Sequence, residues 1–473
     1  MIEISGAKLM IALWGLGITF LFVVVFTFVY FKFFRENKFA KSLFVFTFLA
    51  IFVVAILKLT IFYFFPYGYV SDRLPFYAVP SPKALGIWWM LGALGIFFLF
   101  LKFREKIEKL NAFKFLLTLY LIFIAFSISV AAIREGFYSV YEPFTRTRWE
   151  YTGDMLLVTS IPEFLRDYVA LQPKLTVHAS VHPPGYTLIL YFFHQYLGAG
   201  FAGLAVLIIM LGGFVIFPLY YFLKNFATED NVRRGLQIFI FVPSFVMMSA
   251  TSMEAAFLFF SWLAIAILYE GWRRGAFLSF LGGVAAALAL FLNYLFALLA
   301  PLFLILFFML YKRGIVTRII PTFFGFLMFF AALYLWTGYS IIENFFVAHG
   351  RLYHNVGSNF ESAMLYLAYF VMNISAFAVY LGLPNIKALI RGTTDLLREN
   401  NFIGSSGAII VTLIIFLGLF QGEVERLWLF LTPLFILPLI RATENFDKTQ
   451  FASLLSLLFF QIILTQTLFY TYW

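Results

Sequence analysis

Apolar residues run along this chain in long stretches that polar residues interrupt only at intervals. From Leu9 to Phe31 no charged residue occurs at all. Crossing the hydrocarbon of a bilayer takes about 20 apolar residues. By that rule spans fall near 9–33, 42–65, 85–101, 114–132, 184–198, 201–223, 235–251 and 254–271. Further spans fall near 276–293, 296–311, 316–337, 364–388, 405–421, 427–441 and 449–470. The runs lack the period of two that barrel strands need. Backbone polar groups in lipid must be satisfied internally, so these runs read as helices. The pattern predicts an all-α, polytopic transmembrane bundle of about 13–15 spans in one integral-membrane domain, 1–473. Its parts are N-terminal spans 1–132, a first large external loop 133–183, central spans 184–337, a second external loop 338–362 and C-terminal spans 363–473.

Composition agrees and removes several classes of function. The chain is 63% hydrophobic and 12% charged, whereas a soluble domain is about a quarter charged. A soluble enzyme and a disordered chain are both excluded. With no cysteine, disulfides, thiolate nucleophiles and Cys-ligated metals are excluded too. No Gly-x-x-x-x-Gly-Lys-Ser/Thr loop or dinucleotide fingerprint is present. The first apolar run lacks a small-residue cleavage site and reads as a retained span.

The net charge of +10 reflects the Lys/Arg excess of cytoplasmic loops rather than a nucleic-acid partner. Basic clusters occur at Lys32–Lys41, Lys102–Lys109, Arg233–Arg234, Arg273–Arg274, Lys312–Arg318 and Lys387–Arg398. With these inside, 66–84, 133–183, 338–362 and the turns near Thr251 and Gly422 face outside. One conflict arises: if 184–198 and 201–223 both cross, Arg233 and Arg234 land outside. One of the two is therefore expected to be re-entrant or miscounted as a span. Lys58 lies within an apolar run and reads either as functional or as snorkelling to the outer interface.

The first external loop holds the densest chemistry. Pro143 after Glu142 suits a helix start, and helical spacing puts Glu142, Arg146, Glu150 and Asp154 on one stripe. Such a stripe is either a solvated face or a site in which one carboxylate serves as a base. Ser160 and Glu163 have capping-box spacing. They open a short amphipathic helix with Phe164, Leu165 and Tyr168 on its apolar side, which would lie in the membrane interface. His178 and His182 then precede Pro183-Pro184-Gly185. They read as metal or phosphate ligands, or as interfacial caps of the next helix.

The stretch Trp149-Glu150-Tyr151-Thr152-Gly153-Asp154-Met155 through His182-Pro183-Pro184-Gly185-Tyr186 resembles the GT-C superfamily of integral-membrane glycosyltransferases. That superfamily includes protein mannosyltransferases, aminoarabinose transferases and arabinosyltransferases. The resemblance covers the loop and the span after it, and more loosely the rest of the chain. It departs from the usual pattern in having four spans ahead of the loop, and Gly185 where Leu or Met is commoner. It implies a polyprenyl-phosphate-linked sugar donor and an acceptor glycan, lipid or protein. It also implies a catalytic carboxylate in the loop, in a cell membrane with the active site on the extracytoplasmic face. Asp154 is the first choice for the base and Glu150 the second. Arg426, Arg351 and His349 would hold the donor phosphate. His182 and His178 would orient the loop or bind a divalent metal, Mg or Mn. Glu142, Arg146, Glu254, Glu425 and His354 are further candidates for the site's lining. The alternative is a secondary transporter or a flippase or polymerase of lipid-linked glycans. A transporter predicts charges on broken helices at the membrane midplane.

Overall fold

The structure, a computed structural model, describes residues 6–64, 73–250, 252–311 and 315–471. It is an all-α polytopic bundle and an integral membrane protein by the length and apolarity of its helices. Among the described residues, nine helices are long and apolar enough to cross a bilayer. Shorter apolar helices, Ala276–Leu292, Tyr294–Leu310, Ser406–Phe416 and Leu429–Thr443, lie between them. The strand pairing among the described residues is a two-residue antiparallel ladder, Val79–Pro80 against Phe469–Tyr470.

Burial sorts the helices from the axis outwards. Lys448–Leu468 is buried along most of its length, as expected of a helix that is apolar on every side. A capping box starts it: Gln450 N–H donates to Asp447 at 2.8 Å, and Asp447 N–H donates to Gln450 at 3.1 Å. Aromatic rings fill the spaces around it, with Phe97 stacked on Phe459 at 4.4 Å and Phe123 on Phe245 at 4.0 Å. Val316–Thr337, by contrast, fully buries only Gly325 and Thr337 and packs on Ala276–Leu292 along one side.

The basic turns gather at one end. Arg233 donates to the carbonyls of Glu108 (2.7 Å) and Leu110 (2.6 Å). Arg234 donates to Phe446 O at 2.9 Å, and Lys448 pairs with Glu105 at 2.8 Å. The topological conflict over Arg233 and Arg234 resolves at 184–198. Helix Gly185–Leu197 has only 13 residues, about 20 Å at 1.5 Å per residue, too short to cross. Its start packs on the end of Ala276–Leu292: a Cβ at Gly185 would stand 2.5 Å from Phe291 O. Gly185 therefore permits a close backbone approach that Leu or Met would block. Phe201–Leu223 makes the crossing alone, and the basic pair falls at the basic end.

Two more features differ from expectation. The span expected at 364–388 is part of a 36-residue helix, Ala363–Arg398, broken at Gly382 (φ 99°). Gln461 repairs the break, donating to Val379 O at 2.7 Å and accepting from Leu383 N–H at 2.8 Å. Lys58 is fully buried and donates to Phe76 O at 3.1 Å.

Candidate functional site

The loop 133–183 folds into a fixed cap at the end opposite the basic turns. Helix Ile161–Leu171 forms as the sequence predicts. Ser160 accepts from Glu163 N–H and donates to the Glu163 carboxylate at 2.8 Å. Phe164, Leu165 and Tyr168 are buried. The expected single stripe 142–154 does not form. A 3-10 turn, Glu142–Thr145, ends at Arg146 (φ −83°, ψ 53°), and the chain restarts as Tyr151–Met155 with Glu150 extended at its N-cap. Gly153 makes this fold possible, because a Cβ there would stand 1.9 Å from Thr147 O.

Breaking the stripe separates Glu150 and Asp154 from each other and from the Glu142–Arg146 pair. Glu142 pairs with Arg146 at 2.5 Å and accepts from Tyr470 OH at 2.9 and 3.0 Å. Asp154 accepts from Thr176 N–H at 3.1 and 3.3 Å and from the Thr176 hydroxyl. Asp154 is thus a buried staple closing the loop. Burial raises its carboxyl above the usual range, while the Thr176 bonds pull it back. Glu142 lines a neighbouring cleft with Arg134 and Tyr470, whereas Glu150 faces one whose other walls include Pro143, Tyr151, Thr152, Ser252 and Arg426.

Distant parts of the chain meet in this cleft. Glu254 opens helix Glu254–Arg274, where the N-terminal dipole favours an anion. Arg426 stands on the short turn Val424–Leu427, 3.8 Å from Glu254 and 2.6 Å from Glu423. His178 Nε2 is 3.6 Å from Glu150. His182 Nδ1 bonds His178 O at 2.9 Å. A carbonyl only accepts, so His182 carries its proton on Nδ1, and in the neutral ring Nε2 is an acceptor. Tyr168 OH donates to the carbonyls of Ala179 (2.9 Å) and His182 (3.1 Å), fixing the histidine turn. The histidines therefore belong to the cap and do not cap the following helix, whose N-cap is Pro184.

Protonation follows from burial and from this small set of charges. Burial raises the Glu150 carboxyl to about 7; Arg426 draws it down and Glu254 pushes it up. Burial, with Arg426 nearby, presses His178 down to about 3, so it is neutral at ordinary pH. His182 is lowered chiefly by burial, with the His178 carbonyl opposing. Burial works against the Arg426 charge, but Glu254, Glu423 and Glu150 outweigh it and hold the guanidinium charged. Thr152 Oγ1, Ser252 Oγ and Glu254 Oε2 are buried there without a hydrogen-bond partner.

The other candidates lie apart. His349, Arg351 and His354 sit on helix Ile341–Val356, which packs on Ala179–Val181 behind the histidine turn. Among the described residues no hydrogen bond or ion pair joins them to Glu150 or Arg426. Glu425 belongs to a different cluster, with Tyr77. Among the described residues no three His, Asp or Glu side chains gather as a metal's donor set. Arg426 stands between the Glu254 and Glu423 carboxylates. Sequence reasoning missed Tyr470 and Asn293, which bonds Tyr186 OH at 3.1 Å. A polar residue ending an apolar run marked Asn293, whereas nothing marked Tyr470.

Compared with family models, with curated proteins and with solved structures, the chain matches none.

Proposed function

We propose that the protein transfers a sugar from a polyprenyl-phosphate-linked donor to a hydroxyl acceptor at the outer face of the membrane. The observation that carries this reading is Glu150: a carboxyl group raised to about 7, facing a cleft beneath a fixed cap, beside a permanent cation. A base poised near neutrality suits removal of a hydroxyl proton. In the proposed step the acceptor oxygen bonds to the anomeric carbon as its proton passes to Glu150. The bond from that carbon to the phosphate oxygen breaks, and polyprenyl phosphate leaves. The loop carboxylate in this role is Glu150 rather than Asp154, whose oxygens are engaged by Thr176. Arg426 is the cation for the leaving phosphate. Glu423, its nearest and most exposed partner, is the carboxylate that the phosphate would displace. The cap has the expected extracytoplasmic placement if the basic turns are cytoplasmic.

Purified protein in nanodiscs, given a polyprenyl-phosphate sugar and candidate acceptors, should release polyprenyl phosphate. Loss of that release in Glu150→Gln but not in Asp154→Asn would support the assignment, and the reverse would overturn it.

A second reading, secondary transport, draws on the break at Gly382, because discontinuous helices line transporter sites. Substrate uptake into proteoliposomes without release of polyprenyl phosphate would favour it.

A further inference from the structure

The turn that carries Arg426 is also held by residues that do not line the cleft. Its backbone enters through Gly422 (φ 95°) and Glu423 (φ 60°), both left-handed. A non-glycine residue there is costly and needs surrounding structure to hold it. That structure is the segment after the second span. Arg73 donates to Gln421 O at 2.6 Å. Glu425, 1% exposed, accepts from Tyr77 N–H at 2.6 Å. The carbonyl of the same peptide group, Phe76 O, accepts from Lys58 Nζ at 3.1 Å. Lys58 also lies over the Phe76 ring, 5.7 Å from its centre.

One peptide group thus stands between a buried lysine and a buried carboxyl group. Its C=O faces the ammonium and its N–H faces Glu425, so its dipole is aligned with both. Hydrogen bonds to an ionised donor are about twice as strong as neutral ones. Bonds in series polarise one another. Burial pushes the Glu425 carboxyl up to about 8, with Tyr77 and Lys58 among the groups drawing it back. The bond to Tyr77 survives either state, because Oε1 accepts with or without a proton on the other oxygen.

We propose that Lys58 and Glu425, linked through the Phe76–Tyr77 peptide group, are positioning residues that set Arg426 against Glu150 and Glu254. The role rests on reading the Glu150 cleft as the reacting site, but the placement of Arg426 is measurable without any reaction. Arg426 holds the Glu150 carboxyl down. A turn that shifts away lets that carboxyl rise.

The test is the pH titration of Glu150 in the full chain in nanodiscs. It is followed by the infrared carboxyl band that disappears in Glu150→Gln. Lys58→Met and Glu425→Leu should each raise the Glu150 midpoint by about one unit. Glu425→Gln keeps an oxygen acceptor for Tyr77 N–H and should leave the midpoint within about 0.3 units of wild type. In the transfer assay, Lys58→Met and Glu425→Leu should lower kcat about tenfold or more with little change in KM for the donor. An unmoved midpoint in folded Lys58→Met and Glu425→Leu overturns the proposal, as does equal behaviour of Glu425→Leu and Glu425→Gln. If Lys58→Met does not fold, the two Glu425 variants decide. If wild type shows no transfer, the sugar-transfer reading fails while the titration still judges the placement of Arg426.

Discussion

Glu150 gains its chemistry from its neighbours. A loop carboxylate in water would be ionised at neutral pH and a weak base. Burial beside Glu254, against the pull of Arg426, brings it to about 7. Glu150→Gln should therefore lower the transfer rate by about a hundredfold or more, measured as release of polyprenyl phosphate. The active form is the carboxylate, so the rate should rise with pH through about 7 and fall below it. Stability runs the other way. Folded Glu150 keeps its proton up to about 7, whereas an unfolded carboxyl loses it near about 4.3. The folded state binds more protons in that window, so this contribution is full below the unfolded value and is lost as pH rises through about 7. Thermal unfolding of wild type and Glu150→Gln across that window should show stability falling more steeply with pH in wild type. Glu423→Gln should strengthen donor binding several-fold, because a neutral amide competes less well for Arg426 than a carboxylate does. A donor KM that rises in this variant would remove Glu423 as the displaced partner.

Among the elements, those set by local rules were legible in the sequence. Ser160 and Glu163 cap a short amphipathic helix, and the apolar side chosen from spacing is the buried one. The carboxylate stripe was misread because its periodicity is cut by tertiary contact. The chain leaves the helical region at Arg146, and Gly153 packs onto the Thr147 carbonyl. The consequence is functional: Asp154 becomes a staple and Glu150 turns to the cleft. Asp154→Ala should cost about 2 kcal/mol by stranding Thr176, read by thermal unfolding. The break in Ala363–Arg398 was equally hidden, since Gly382 and Gln461 are far apart in sequence. Gln461→Leu leaves two buried backbone groups without their partner and should cost about 2–4 kcal/mol. Retained stability in that variant would mean that the helix closes its own break.

For the whole molecule, the side of each turn follows from which helices cross. The chain has no cysteine, so single-cysteine variants can report sidedness to an impermeant reagent in sealed vesicles. Gln195→Cys, on the short helix Gly185–Leu197, and Glu135→Cys should label from the same side. Lys38→Cys and Lys448→Cys should label from the other. Labelling of Gln195→Cys together with the lysine positions would mean that 185–197 crosses after all. The sequence by itself determined the all-α membrane architecture, the basic turns and the acidic loop, because hydropathy, charge and capping act over short distances along a chain. It also named Glu150, Glu254 and Arg426, which the family resemblance assigned to one site. Only the tertiary structure decided that these three meet, that Asp154 does not join them, and that Lys58 and Glu425 grip one peptide group behind Arg426. The physical reason is that burial and the Coulomb field of a side chain depend on neighbours brought from hundreds of residues away, which no local pattern encodes.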